Sequence, residues 1–450
     1  MKVTLIKPNI GRMSRGPYID EGRMEPLQIG VLAGLTPARH ELAFHDDRME
    51  AIPYDRPTDL VAITVETYTA KRAYEIAAEY RKRGVPVIAG GVHPTLVPDE
   101  AARHANAILL GDAEQVWAAM LEDAERGRLR RIYRAPPGVA HPDVLPRRDL
   151  FAGKGYLPIT LLQFSRGCCF RCEFCTVARY FDGRHYVRRV DEVLREIESR
   201  KHRLLFFVDD NLCADRKAAK ELFRALIPLR VRWVSQSSLD MLRDAELMDL
   251  MLRSGCLGHV IGFESLTPDH LTAMGKGPNL RGFDGYRTQV RQLREYGLQT
   301  WAAFVLGYDH ETRDSVRRTL DFALESRFTF AAFNILMPFP STPLYRRLQA
   351  QDRLLYDGAW WLHPEYRFNH AAFRPARMSP EALTEACFDA RATFSSIPSL
   401  VRRLLDFKTN LRNPVRLVTY LRFNPVFRRE VFKKQGLWLG SRSEVDRARV

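Results

Sequence analysis

Along the first 125 residues, continuous apolar runs alternate with stretches whose apolar residues recur at helical spacing. Val3 to Ile6, Leu42 to His45, Leu60 to Thr64, Val85 to Ala89 and Ala107 to Leu110 read as strands buried on both faces of a parallel sheet. Ile29 to Leu35, Lys71 to Lys82, Pro98 to His104 and Glu114 to Arg126 read as the helices between them. The alternation predicts a doubly wound, Rossmann-like α/β module over residues 1–135. Ligands of such sheets bind beyond the carboxyl ends of the strands. The unusual residues gather there: Asn9, Asp46, Asp47, Thr64, Glu66, Thr67, Gly90, Gly91, His93 and Gly111. The Gly90-Gly91 pair suits close backbone approach to a ligand, while a tight turn would need one glycine only.

From Arg126 to Leu157 the chain is basic and proline-rich, and residues 136–157 are expected to form a linker. The alternation resumes over residues 158–347. Strands are predicted at Ile159–Phe164, Leu204–Val208, Val231–Gln236, His259–Phe263, Gln299–Leu306 and Thr329–Met337, with helices between them. Six such units predict a partial (βα)6 TIM-like barrel, active at the carboxyl ends of its strands. Residues 348–450 read as a basic, aromatic, mainly helical extension. Ser379-Pro380, Asn413-Pro414 and Asn424-Pro425 each set a capping side chain before a proline suited to start a helix.

Directly after the first barrel strand stands SRGCCFRCEFCT, with Cys168, Cys172 and Cys175 as C-x3-C-x2-C. Three thiolates this close can converge on one inorganic centre and leave a position open, which points to an iron–sulfur cluster. Zinc would want a fourth ligand, and His185 is the sole candidate nearby. The other cysteines, Cys169, Cys213, Cys256 and Cys387, are scattered and read as packing residues rather than a disulfide framework.

No secretory h-region or run of apolar residues long enough to cross a membrane is present, so a cytoplasmic protein is expected. The net charge of +15 raises nucleic acid, anionic membrane or an acidic ligand as partners. Residues 401–450 hold 13 Lys and Arg against 4 Asp and Glu. The last helices could therefore lie on the inner face of a membrane or dock on the barrel, and docking is the expectation. A nucleic-acid partner is not expected, since no separate RNA-binding module follows the barrel.

The cysteine spacing, with Phe174 before the last cysteine, resembles the radical S-adenosylmethionine (radical SAM) superfamily. The resemblance implies a 4Fe-4S cluster on Cys168, Cys172 and Cys175, with S-adenosylmethionine (SAM) chelating the open iron. It also implies SAM contacts from Phe174, Asp209, Asp210, Gln236, Glu264, Ser265 and Gly307. The run from Glu25 to Trp117, including AGGVHPTLVPDEA and GDAEQVW, resembles the cobalamin-binding domain of B12-dependent members. There Asn9, Asp47, Thr64, Glu66, Thr67, Gly90, Gly91, His93 and Gly111 would hold cobalamin. The D-x-H-x-x-G motif that ligates cobalt in other cobalamin proteins is absent, as it is from many members of this subfamily. The extension resembles the branch of hopanoid and bacteriochlorophyll methylases.

Together these resemblances imply a methyltransferase acting on an unactivated carbon of a small molecule such as an apolar ring system, with an external flavodoxin- or ferredoxin-like electron donor. Competing expectations are a radical oxidation or cyclisation without methyl transfer, a tRNA-modifying enzyme, and a cobalamin or redox sensor.

Overall fold

The computed structural model describes residues 1–11, 23–136, 144–200 and 202–441. The first sheet is six-stranded, parallel and ordered β2-β1-β3-β4-β5-β6. Its strands are β1 (Lys2–Lys7), β2 (Glu41–Asp46), β3 (Leu60–Thr64), β4 (Val87–Gly90), β5 (Ala107–Leu110) and β6 (Ile132–Arg134). Ile6 is in register with His45 on one side and Ile63 on the other, so the carboxyl ends line up along one edge. Strand β6 adds to the first module an element that the apolar runs do not predict, ahead of the expected linker at residues 136–157. It pairs Ile132 with Ile108 inside a segment whose Pro and Arg content reads as irregular. Only Tyr133 of its three residues is buried, and a short charged edge strand leaves little periodic signal.

The second sheet begins with β7 (Thr160–Leu162). A small antiparallel hairpin follows, β8 (Ser165–Gly167) with β9 (His185–Val187), and the cysteines occupy the loop between its strands. Strands β10 (Leu204–Phe207), β11 (Arg232–Gln236), β12 (Cys256–Glu264), β13 (Gln299–Leu306) and β14 (Phe330–Ile335) complete the sheet in the order β14-β13-β12-β11-β10-β7. Strands β7 and β14 do not pair with each other, so the barrel is open on one side. Its main core lies between strands and outer helices, with Phe207, Phe223, Trp233, Phe263, Phe304 and Phe333 buried together.

The extension contributes helices Pro380–Phe394, Ile397–Leu404 and Pro414–Lys434. Ser379 and Asn413 cap the first and last as expected, accepting from Ala382 N–H and Arg416 N–H at 3.1 Å each. Pro425 does not begin a new helix. It lies inside the 21-residue last helix, and Asn424 donates to Tyr420 O at 3.1 Å instead of capping. That helix packs across the barrel strands, where Phe423 and Phe427 share a hollow with Phe206, and Phe427 is centred 4.5 Å from Trp301 and 5.2 Å from Phe330.

The aromatic stretch of the extension packs on the first module. Trp360, Trp361 and Tyr366 are buried against Ile63, Val65 and Tyr80 of the first module, and Trp361 donates to Glu100 at 3.1 Å. These rings join the first module to the extension.

Candidate active site between the two sheets

Two neighbouring carboxylates fix the entry to the cysteine loop. Asp209, wholly buried after β10, accepts from Phe164 N–H at 3.1 Å, from Ser165 Oγ at 2.5 Å and from Ser165 N–H. Burial pushes its carboxyl up to about 7 against those donors. Asp210 accepts from Gly167 N–H at 2.9 Å. Gly167 turns with φ of 82°, and a Cβ there would stand 2.2 Å from Arg184 O, so glycine is required. Farther along the loop Glu173 is held by Tyr308 and Arg347, both donating at 2.9 Å.

Between these anchors lie the three thiols. Cys172 is buried, which pushes it up to about 11 in opposition to the nearby Lys276 ammonium. Cys175 stands at the start of the short helix Thr176–Tyr180, and burial pushes its thiol up in opposition to the Ala178 and Val177 N–H groups. Cys172 and Cys175 each feel the charge of Cys168. Among the described residues no three His, Cys, Asp or Glu side chains gather closely enough to hold a single metal ion. The three cysteines share one loop, the arrangement an iron–sulfur cluster takes up from closely spaced thiolates.

Other expected SAM contacts fall on the same edge of the second sheet. Glu264 ends β12 with φ of 66°, a strained backbone for a side chain, and accepts from Lys276 Nζ at 2.8 Å. Both groups act electrostatically on Cys172, so this ion pair borders the cluster loop. Gly262 makes room for it, since a Cβ there would meet Glu264 Oε1 at 2.1 Å. Ser265 is turned inward, 3.1 Å from His270 Nδ1. Gln236 is half-buried and its carbonyl accepts from Leu212 N–H at 3.0 Å. Phe174 packs on the barrel core. Gly307, with φ of 112°, underlies Leu383 of the extension at 2.7 Å from where a Cβ would be. Asp209 has both oxygens committed to the loop, and Asp210 is the one of the pair that reaches open space.

That space is a cleft of about 440 Å³ between the two sheets. Thr64, Gly90, Gly91 and Gly111 line it from the first module, while Gln163, Arg166, Asp210, Thr176, Val177 and Tyr180 line it from the cysteine side. Gly91 takes φ of 114°, where a Cβ would lie 2.8 Å from Val65 O, so the turn itself demands it. Gly90 has no such constraint: a Cβ would meet only Leu109 at 3.6 Å. Its missing side chain keeps the wall flat, which suits a large planar ligand such as a corrin.

The remaining expected cobalamin residues do not line this cleft. Asp47 is buried in a two-pronged pair with Arg72 at 2.9 Å and accepts from Asn9 N–H at 3.1 Å. Lys7 pairs with Glu66. His93 is fully buried, its ring nitrogens 2.9 Å from Glu100 Oε1 and 3.3 Å from Thr67 Oγ1. Sequence reasoning missed Arg166, which spans the cleft to Asp112 at 2.9 Å and Glu114 at 2.6 Å. Tyr180 joins the same group, donating to Asp112 at 3.0 Å. Arg166 lies within the SRGC run, and its value as a bridge becomes visible only when β5 and β8 are brought face to face.

Residues 162–323 match the radical SAM superfamily. The chain is 32% identical over 381 residues to bacteriochlorophyllide d C-12(1)-methyltransferase of Chlorobaculum tepidum, covering 82% of each. The chain belongs to the radical SAM superfamily. This radical SAM protein is also 27% identical over 396 residues to the anaerobic magnesium-protoporphyrin IX monomethyl ester cyclase of Rubrivivax gelatinosus, covering 77% of the chain and 70% of the cyclase. Its fold is shared with the radical SAM methyltransferase TsrM of Kitasatospora setae, solved with cobalamin and a 4Fe-4S cluster. The TM-score is 0.62 at 20% identity, over 78% of this chain and 75% of that one.

Proposed function

We propose that the chain is a cobalamin-dependent radical SAM C-methyltransferase, acting on an unactivated carbon of a small molecule in the class of large apolar rings. The observation that carries this reading is the position of the cleft. One wall is the carboxyl edge of β3, β4 and β5, where sheets of this kind take ligands, and the other is the helix that starts at Cys175. Thr64, Gly90, Gly91 and Gly111 would hold cobalamin there, and Cys168, Cys172 and Cys175 would hold the cluster. When bound, these groups supply the one-electron and methyl chemistry that no side chain offers. The chain supplies placement: Asp209 and Asp210 set the cysteine loop, Glu264 and Lys276 present fixed charge beside it, and Trp360 and Trp361 lock the first module to the extension. Methylase relatives that act on tetrapyrrole rings support the substrate class. An external flavodoxin- or ferredoxin-like protein would supply electrons, and the enzyme would act in the cytoplasm. Among the described residues no helix is long and apolar enough to cross a membrane.

A radical oxidation or cyclisation without methyl transfer is favoured by the likeness to the ring cyclase. Anaerobic reconstitution with iron, sulfide and hydroxocobalamin tests the common part. About four irons are expected in wild type and lost in the Cys168/Cys172/Cys175→Ala variant, with about one cobalt per chain in both. Iron uptake without cobalt would eliminate methyl transfer through B12. Product mass then separates the two outcomes, since only methylation adds a carbon.

A further inference from the structure

The helix Ile397–Leu404 and the first two turns of Pro414–Lys434 carry apolar side chains on their outer side. In the first, the face toward the protein carries Ser399 and Arg403, while Ile397, Val401 and Leu405 recur four apart on the solvent side. Ile397 is 69% exposed, and Phe407 in the following turn is 75% exposed. In the second, Arg416 and Asn424 are buried with Tyr420 and Phe423, whereas Val415, Val418 and Leu421 point outward. A surface helix of a protein that meets only water shows the reverse pattern.

The arrangement is held firmly. Tyr420 donates to Leu400 O at 2.7 Å, tying the two helices together. Arg403 donates to Phe328 O and Thr329 O at 3.0 and 2.9 Å and lies 3.8 Å over the Phe394 ring. The apolar crest is therefore fixed in place by polar groups beneath it. Its border is basic, with Arg402, Lys408, Arg422 and Arg428 exposed. Near Phe407, Arg287, Arg291, Arg294 and Lys408 line a hollow of about 470 Å³ in which Asp284 and Glu325 are the acidic groups.

We infer that this face docks in the plane of an anionic lipid bilayer. Ile397, Val401, Phe407, Val418 and Leu421 enter the interfacial zone, and the arginines and lysines meet lipid phosphates. The sign of the border argues against a second copy as occupant, because a twofold contact would set basic border against basic border. The inference goes beyond the proposed reaction and is independent of it.

Flotation of the full, reconstituted protein with vesicles tests it. Vesicles of phosphatidylcholine with about a third phosphatidylglycerol are expected to carry the protein up, with roughly tenfold weaker binding to phosphatidylcholine alone and weakening by salt. The Val401→Glu/Phe407→Glu and Arg402→Glu/Lys408→Glu/Arg422→Glu variants are each expected to lose roughly tenfold or more in binding. The exposed Lys217→Glu control is expected to bind as wild type. Iron content and melting temperature should be unchanged in all of them, since every substituted side chain is exposed. Failure to bind the anionic vesicles at low salt, or equal binding by the crest variants, would overturn the inference. So would a solution dimer dissolved by Val401→Glu/Phe407→Glu in place of vesicle binding, which would give the face to a second copy.

Discussion

Gly90 and Gly91 are neighbours with separate purposes, and substitution should split them. Gly91→Ala forces a side chain into φ of 114° against Val65 O and should cost about 1–3 kcal/mol in urea denaturation. Gly90→Ala should stay within about 0.5 kcal/mol of wild type, because its Cβ meets only ordinary contact. Its effect should instead fall on cobalt content after reconstitution. Asp209 gives a pH signature. Its carboxyl, raised to about 7 by burial, keeps a proton that the unfolded chain releases near 3.9. That stabilising contribution is fully present below about 3.9 and is lost as pH climbs through about 7. Asp209→Asn should lack this part of the slope and, with fewer acceptors for Phe164 and Ser165, should be about 1–3 kcal/mol less stable at pH 5. Urea midpoints across pH 4 to 8 would show both effects.

The cysteine triplet was legible at this scale because its chemistry lies in one contiguous run. Asp209 was legible as a strand-end acid but not as a clamp, since its donors lie 44 and 45 residues away. His93 drew notice for being a histidine at a strand end. Its partners, Glu100 on the next helix and Thr67 after β3, are invisible to a reading of local type.

Elements with long apolar runs were read well, as in β3, β5 and β13. Those decided by packing were not: β6 is a three-residue edge, and the Pro425 position reads as a helix start although neighbours on both sides hold one continuous helix. The helix Ile397–Leu404 escaped notice because its apolar residues face outward and its buried face is polar. Arg403 is the pin of that element. Arg403→Ala would strand three carbonyls, those of Phe328, Thr329 and Phe394, and should cost about 3 kcal/mol or more, measured by chemical denaturation. Phe427→Ala, at a half-buried site, should cost about 2 kcal/mol by loosening the last helix from Trp301 and Phe330.

For the molecule as a whole, the two sheets meet across a cleft spanned by Arg166. Because that guanidinium pairs with Asp112 and Glu114, Arg166→Ala should leave iron content near wild type while cobalt is lost more quickly on gel filtration. Equal loss of both metals would mean that Arg166 serves the cysteine loop rather than the junction. The covering of the barrel's hollow by the last helix also bears on how the protein is made. Strand β14 ends at Ile335 and the closing helix begins at Pro414, so at ribosomal speeds of about 5–20 residues per second some 4 to 16 seconds separate them, roughly. Throughout that interval Phe206, Trp301 and Phe330, which line the hollow that Phe423 and Phe427 later fill, stay uncovered, a surface for a chaperone to meet. Translation itself thus leaves a hollow open until the helix Pro414–Lys434 arrives to fill it.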